Sequence, residues 1–280
     1  MNDRQNRFIL LQLKKTMKNK VLILIILTMG FISCSTTKQV ENLFSKSKSL
    51  KNSTYYHEQL TGLPEPVQTY FRYALKNGQS YLSQLRLKHT GQFKTGQGKD
   101  WVDIKGKQYF SAQPPGFVWI GKTKAFKARD AYVSNKGNLS VYLFGFLRIV
   151  NREGKTVDQA ELLRWLGESV WMPTNLLPNK HIQWQAIDDN KAKVTFTWQS
   201  QPVFYIVHFN EKGQIARMET ERYMNEDRLE KWIGRVSNYQ KVNGMMVPTK
   251  IEASWMLEEG EYTYARFYVT EFEFDKPEKF

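Results

Sequence analysis

The sequence has almost no cysteine, since Cys34 is the only one among 280 residues. The folded part of the chain therefore has no disulfide and no thiol site, and its stability has to come from a hydrophobic core. Histidine is also scarce. None of the four histidines belongs to a metal-site spacing such as H-x-x-x-H, and they stand at His57, His89, His181 and His208. The sequence predicts no metal site and no cofactor.

Motifs of common enzyme classes are also missing. The sequence contains neither the G-x-S-x-G turn of serine hydrolases nor a glycine-rich phosphate-binding loop. Catalysis would have to come from unmarked residues, so an enzymatic role is not the leading hypothesis.

The N-terminus carries the most specific pattern in the chain. Lysines at positions 14, 15, 18 and 20 precede an apolar run of 13 residues that begins at Val21. Cys34 follows this run, directly after a small residue. This form is typical of a secretory signal peptide, and Phe31-Ile32-Ser33-Cys34 resembles the bacterial lipobox. The run is shorter than the roughly 18 residues that suggest a spanning helix. We predict a signal peptide over residues 1–33, with Met17 as an alternative start, and an exported envelope lipoprotein anchored to a membrane through acylated Cys34.

The domain boundaries are predicted from composition. Residues 34–60 are polar and rich in serine and lysine, which is typical of a flexible tether. A single β-rich domain is expected over residues 61–280. Its first element is a predicted helix, because Pro64 suits a first helical turn and the apolar residues at 67, 70, 71, 74 and 75 recur at helical spacing. Asn77-Gly78 is expected to end this helix.

Strands are predicted from Leu85 onward, where apolar and polar residues begin to alternate. One expected strand covers residues 139–150, and Glu211-Lys212-Gly213 and Val242-Asn243-Gly244 have the residues of tight hairpin turns. A helical period interrupts the strands over residues 156–171. The predicted fold class is α+β: a curved, mostly antiparallel sheet, or half-barrel, wrapped around this central helix, with an additional N-terminal helix.

Several motifs resemble those of an uncharacterised bacterial envelope family known as a domain of unknown function. They are Leu63-Pro64-Glu65-Pro66-Val67, Gly116-Phe117-Val118-Trp119, the run AELLRWLGE at 160–168, and Trp171-Met172-Pro173-Thr174-Asn175-Leu176-Leu177-Pro178. The resemblance covers roughly residues 61–270, with Met172 where the family is expected to have an aromatic residue. It implies a domain and no activity. At the level of fold, the half-barrel is similar to periplasmic lipoprotein carriers.

Positive charge is concentrated in the first strands. Residues 86–129 hold ten lysines and arginines but two aspartates. Three pairs of cations stand two residues apart, so each pair projects from one face of its strand: Arg86 with Lys88, Lys105 with Lys107, and Lys122 with Lys124. This face either lies against anionic lipid headgroups or keeps the sheet soluble. Nucleic acid is not an expected partner of an exported lipoprotein.

The best polar constellation lies on the predicted central helix. Glu161, Arg164 and Glu168 are three and four residues apart, which places them on neighbouring turns. Two carboxylates beside a guanidinium either hold an acid at raised pKa or form an ion-pair ladder that ties the helix to the sheet. The sequence leaves both interpretations open.

Aromatic side chains supply a second candidate surface. Most of the eight tryptophans are expected in the core, because large side chains are needed to fill a wide curved sheet. Phe117, Trp119, Trp165 and Trp171 are instead candidates for lining an incompletely filled concavity. Together with Glu161, Arg164 and Glu168 they form the predicted ligand-binding set.

Three functional hypotheses follow. The first is a tethered module that binds or carries an apolar or amphipathic envelope molecule, and it predicts a cavity. The second is a structural or interaction lipoprotein with a filled core, an exposed apolar patch and an envelope protein as partner. The third is an envelope-acting hydrolase that uses Glu161 or Glu168.

Overall fold

The structure, a computed structural model, describes residues 36–280. The predictions for the signal peptide, Met17 and Cys34 lie outside the described residues. Within residues 36–280, no helix combines the length and the apolar character needed to cross a membrane.

The described chain contains three helices, fifteen strands and short 3-10 turns. The helices are α1 (36–45), α2 (Glu65–Ala74) and α3 (Lys155–Glu168). The 3-10 turns cover His57–Leu60, Ser169–Trp171 and Pro173–Leu176. The strands are β1 (Thr54–Tyr55), β2 (Gln79–Ser80), β3 (Gln84–Phe93), β4 (Val102–Ser111), β5 (Gly116–Lys122), β6 (Phe126–Val133), β7 (Lys136–Leu143), β8 (Leu147–Arg152), β9 (Ile182–Asp188), β10 (Lys191–Trp198), β11 (Gln201–Phe209), β12 (Ile215–Tyr223), β13 (Leu229–Val242), β14 (Met245–Leu257) and β15 (Gly260–Phe274).

Thirteen of these strands form one curved, antiparallel sheet that does not close. Its order is β8-β7-β6-β5-β4-β3-β15-β14-β13-β12-β11-β10-β9, with β8 and β9 at the two edges. The sheet is a meander in which the last strand, β15, pairs with β3 in the middle. Helix α3 connects the two edge strands, so the chain leaves one edge of the sheet and re-enters at the other. The predicted curved antiparallel sheet is confirmed.

The alternation in the sequence sets which face of each strand is buried. In β3, Leu85, Leu87 and His89 are buried on the face that α3 packs against. The predicted turns at Gly213 and at Asn243-Gly244 both occur, and all three of these residues have positive φ. The expected strand over 139–150 is two strands instead, because Phe144 and Gly145 adopt positive φ and turn the chain into a β7–β8 hairpin.

The segment expected to be a flexible tether is ordered from residue 36. Helix α1 places Val40, Leu43 and Phe44 against Tyr109 and Val118 on the face of the sheet opposite α3. Later in the same segment, β1 pairs with β2 and Leu60 is fully buried. The polar composition hid these contacts, because a few apolar residues at helical spacing are enough to dock a short helix on a sheet.

Helix α3 is more deeply buried than a surface helix. Leu162, Leu163 and Leu166 join the main core, and the Tyr205 hydroxyl of β11 donates to the Leu163 carbonyl oxygen over 3.1 Å. The helix begins at Lys155, one residue before the predicted start at residue 156, and Gly154 at φ 115° is its N-cap. A side chain would be strained at that φ, so glycine suits the position.

The predicted basic face is partly neutralised. Glu273 and Glu271 of β15 form ion pairs with Arg86 at 2.6 Å and Lys88 at 2.7 Å. On the neighbouring strands, Lys105 stands directly opposite Lys122, and Lys122 stands opposite Lys127. A row of cations therefore remains on the face opposite α3.

Candidate functional site

A cavity of about 660 Å³ lies between the sheet and α3. Strands β3 to β8 and β11 to β15 supply its walls together with one side of α3. This volume falls within the range of small-molecule sites in proteins. On the other side of α3, Trp165 stacks on Phe110 and packs against Phe196.

The cavity walls are mostly apolar. Aromatic residues stand around small side chains, and the aromatic members include Trp119, Trp232, Trp255, Tyr264 and Phe267. Gly234, Ala253 and Ala265 are register neighbours across β13, β14 and β15 and form a row of small residues on one wall. Larger residues in this row would fill the space that the curvature of the sheet leaves open.

One end of the cavity is ionic and is organised by Arg164. Its guanidinium bonds Asp130 of β6, and its Nε donates to Glu168 Oε1 over 2.8 Å. The other oxygen of Glu168 accepts a 2.6 Å bond from the Gln108 amide. The guanidinium also lies 4.8 Å from the centre of the Phe117 ring and 5.2 Å from that of Trp119. The carboxylates around it raise the pKa of Arg164, against the opposing effect of burial.

A second carboxyl pair adjoins this cluster. Glu161 is 4% exposed, and Asp130 lies within hydrogen-bonding reach of it. Burial raises the pKa of Glu161 well above its usual range, and the negative charge of Asp130 adds to the rise against the lowering effect of Arg222 and Arg164. Two carboxyl groups this close favour one shared proton. The Nη2 of Arg222 on β12 donates to Glu161 Oε1 at 3.4 Å, which is long for a hydrogen bond between charged groups.

His89 lies beside the ionic cluster within an aromatic stack. Its ring is 4.4 Å from that of Phe267, and its Nε2 accepts a 2.8 Å bond from the Trp119 indole. Burial, with a further contribution from the Arg164 charge, lowers the pKa of His89 to about 4. The neutral ring therefore fixes the orientation of Trp119 on the cavity wall.

The lowered pKa of His89 predicts acid sensitivity. In the unfolded chain, the imidazole of His89 is protonated as the pH falls below 6.5. In the folded chain it stays neutral until the pH reaches about 4. The free energy of unfolding is therefore expected to fall by about 3 kcal/mol across this window from His89 alone. Urea titrations at several pH values check this: the difference between wild type and His89→Gln should change across the window. Parallel profiles would contradict it.

The structure brings together five of the seven residues predicted for the ligand site. Trp119, Glu161, Arg164, Glu168 and Trp171 all line the cavity. The other two lie in the core beside it. Phe117 is fully buried beneath Arg164, and Trp165 is 3% exposed with its indole bonded to the Ser111 carbonyl oxygen.

The polar residues that sequence reasoning missed are Asp130, Gln108 and Arg222. A pattern could have revealed two of them. Asp130 stands between Ala128 and Tyr132 on the inward face of β6, and Arg222 continues the inward row of Met218 on β12. A charged residue on an apolar face is rarely left without a partner or a function. In the described part of the chain, no group of three or more His, Cys, Asp or Glu side chains is placed to hold a metal ion.

Comparison of the sequence with protein-family models gives a match over residues 53–267 to a family described as "Family of unknown function (DUF6544)". The chain belongs to this family. The match begins eight residues before the predicted boundary at residue 61, in the segment that contains β1. Among curated proteins, none matches this sequence.

Two solved structures are similar to the chain at low identity. One is a LolA superfamily protein from Nitrosomonas europaea, with 12% identity, a TM-score of 0.35, and coverage of 75% of this chain and 92% of that chain. The other is a putative outer membrane lipoprotein-sorting protein domain from Vibrio parahaemolyticus, with 9% identity, a TM-score of 0.39, and coverage of 77% and 93%. Similarity at this level assigns no ligand and no activity to the chain.

Proposed function

We propose that this family member is an exported, membrane-anchored envelope lipoprotein whose domain binds or carries an apolar or amphipathic molecule. The observation that carries the proposal is the cavity of about 660 Å³ with mostly apolar walls and one ionic end. Such a site suits a ligand with a hydrocarbon part and a polar head. The lipobox-like Phe31-Ile32-Ser33-Cys34 supports export and anchoring.

Ligand binding explains the ionic cluster better than hydrolysis does. Both oxygens of Glu168 accept hydrogen bonds from protein side chains, Oε1 from Arg164 and Oε2 from Gln108, so this residue helps to hold the cluster together. Glu161 and Asp130 are within hydrogen-bonding reach of one another. The carboxyl pairs of glycoside hydrolases stand about 5 Å or more apart, on either side of the scissile bond.

Filling the cavity is expected to weaken binding of an apolar probe. In Ala253→Trp, the indole would occupy space beside Gly234 and Ala265. We expect the dissociation constant of this variant for the neutral fluorophore N-phenyl-1-naphthylamine to rise by about tenfold or more. The apolar contact that the probe loses with the cavity wall is worth more than about 1.4 kcal/mol. Fluorescence titration of the 280-residue chain measures this.

The matched control is Ala186→Trp, which adds the same side chain at an exposed position on the edge strand β9. This variant should bind the probe as the wild type does. Equal affinities in all three proteins would place the probe outside the cavity and contradict the proposed site.

A second candidate function rests on the β7–β8 hairpin. Phe144, Leu147 and Ile149 are 64%, 52% and 54% exposed, and β8 is an edge strand. An exposed apolar patch is typical of a protein-interaction surface. An envelope protein partner at this hairpin is compatible with ligand binding in the cavity, because the two sites use different residues apart from Ile149 at the rim.

A further inference from the structure

The ionic end of the cavity has an excess of acid groups. Three carboxyl groups, those of Asp130, Glu161 and Glu168, surround two guanidinium groups, those of Arg164 and Arg222. His89, the nearby base, is neutral because burial lowers its pKa to about 4. With all carboxyl groups ionised, the cluster is therefore one positive charge short. Charge imbalance is costly in a buried site, where water screens it poorly.

Two carboxyl oxygens of this cluster have no hydrogen-bond donor among the described groups. They are Asp130 Oδ1 and Glu161 Oε2, and both atoms are buried. Both residues also line the cavity. A proton shared between the two carboxyl groups supplies a donor, but it uses one lone pair of an acceptor-rich site. These two oxygens can therefore accept hydrogen bonds from a ligand group that carries both N–H or O–H donors and a positive charge.

Resting on the proposed function, we propose that the cavity ligand carries a primary ammonium head group and that Asp130 and Glu161 receive it. The ammonium has three N–H donors and one positive charge, which match the open carboxyl oxygens and the missing charge. The hydrocarbon part of the ligand then extends along the wall formed by Gly234, Ala253 and Ala265.

An anionic head group fits this end less well. A carboxylate placed there would be a fourth acid group beside two guanidinium groups. Arg164 already uses its Nε for Glu168 and bonds Asp130. Arg222 Nε is buried and has no acceptor, so it can donate to a ligand oxygen. A ligand oxygen beside the ammonium group can therefore accept a hydrogen bond from Arg222. An anionic head group without an ammonium leaves Asp130 Oδ1 and Glu161 Oε2 without a donor.

Binding of the ammonium is expected to release a proton. The ionisable groups that face Glu161 are Asp130 from β6, Arg164 from its own helix and Arg222 from β12, with the Tyr205 hydroxyl of β11 nearby. In the free protein, burial favours the protonated form of Glu161. The arriving ammonium stabilises the carboxylate, so the Glu161 proton passes to buffer as the ion pair forms. The affinity for the ammonium should then increase with pH.

Three ligands with the same chain but different heads test the proposal. Dodecylamine, dodecanol and dodecanoate each displace N-phenyl-1-naphthylamine from the 280-residue chain at pH 7. We expect half-displacement by dodecylamine at a concentration about tenfold or more below that of dodecanoate, as one charge-assisted hydrogen bond implies. Calorimetry in two buffers near pH 6 should detect release of up to about one proton per dodecylamine and none for dodecanol.

Glu161→Gln is the diagnostic variant. It should lose most of the preference for dodecylamine over dodecanol and most of the proton release, while dodecanol still binds. This variant is not expected to unfold, because it removes an acid whose ionisation burial opposes. Glu221→Gln, at an exposed position on β12, is the matched control and should keep the wild-type preference.

The outcomes separate this proposal from the proposed function. Equal or stronger binding of dodecanoate, or an ammonium preference that persists in Glu161→Gln, would overturn the ammonium site while leaving a hydrophobic cavity. If none of the three 12-carbon ligands binds, the proposed function itself is overturned. A 12-carbon lysophosphatidylethanolamine distinguishes two sources of the head group. Displacement at concentrations similar to dodecylamine supports a lipid head whose phosphate meets Arg222, and much weaker displacement supports a ligand without phosphate.

Discussion

Replacing Arg164 with methionine is expected to lower the free energy of unfolding by about 3–5 kcal/mol. The guanidinium is 16% exposed and bonds two carboxylates, Asp130 and Glu168, which are 11% and 13% exposed. Methionine keeps much of the side-chain volume but leaves both acids buried without a cation. Urea denaturation at neutral pH tests this expectation.

Arg72→Met is the matched control for this prediction. Arg72 also lies on a helix beside an acid, but its ion pair with Glu65 spans 3.8 Å and the two side chains are 49% and 75% exposed. Exposed pairs of this kind contribute about 1 kcal/mol or less. If Arg164→Met and Arg72→Met cost the same, the cluster does not depend on Arg164 as described.

The second large effect is expected from Gly91→Ala. A Cβ at position 91 would stand 2.2 Å from the Arg266 carbonyl oxygen and 2.8 Å from the Phe267 Cα. These atoms belong to the β15 backbone, which is held by its register with β3 at the centre of the sheet. The φ of 157° is also unfavourable for a side chain. Together, overpacking and backbone strain should cost about 3 kcal/mol or more.

The measurement for Gly91→Ala is the midpoint of urea unfolding, with Gly96→Ala as the control. Gly96 lies a few residues further along, and a Cβ there would meet only the flexible Lys99 side chain at 3.8 Å. This control should unfold close to the wild type. If Gly91→Ala unfolds at the same urea concentration as Gly96→Ala, strands β3 and β15 can move apart at this position, contrary to the described pairing.

Much of the fold was predictable because it depends on local periodicity. The alternation from Leu85 onward specified inward and outward faces, and the turn residues at Gly213 and Asn243-Gly244 marked two hairpins. The pairing of β3 with β15 was not predictable. It joins residues about 180 positions apart, and their side chains carry no pattern that selects one partner strand over another.

The contacts within the segment predicted as a tether were not visible in the sequence for a related reason. Composition averages over a segment, whereas docking of α1 depends on three apolar side chains, Val40, Leu43 and Phe44, that meet a prepared surface. That surface includes Tyr109 and Val118, which point away from α3. Alternation alone assigned this face to solvent, so the sequence offered no partner for the helix.

The candidate site was half predictable. Spacing on α3 correctly placed Glu161, Arg164 and Glu168 near one another, but their partners come from other strands. Asp130 and Arg222 are distant in sequence and are brought to α3 only by the curvature of the sheet. All three candidate tryptophans are buried, but Trp119 and Trp171 line the cavity, whereas Trp165 packs against Phe110 and Phe196.

Photolabelling shows where an apolar ligand sits and so tests whether the cavity binds it. The 280-residue chain is irradiated with a dodecyl-diazirine probe, digested, and mapped by mass spectrometry. We expect one saturable label per chain on cavity residues such as Trp232, Ala253 and Phe267. Dodecanol should compete with this label, and the label should be lost in Ala253→Trp but not in Ala186→Trp. Labels confined to the exposed hairpin at Phe144 and Leu147, or labels that do not saturate, would contradict a ligand-binding cavity.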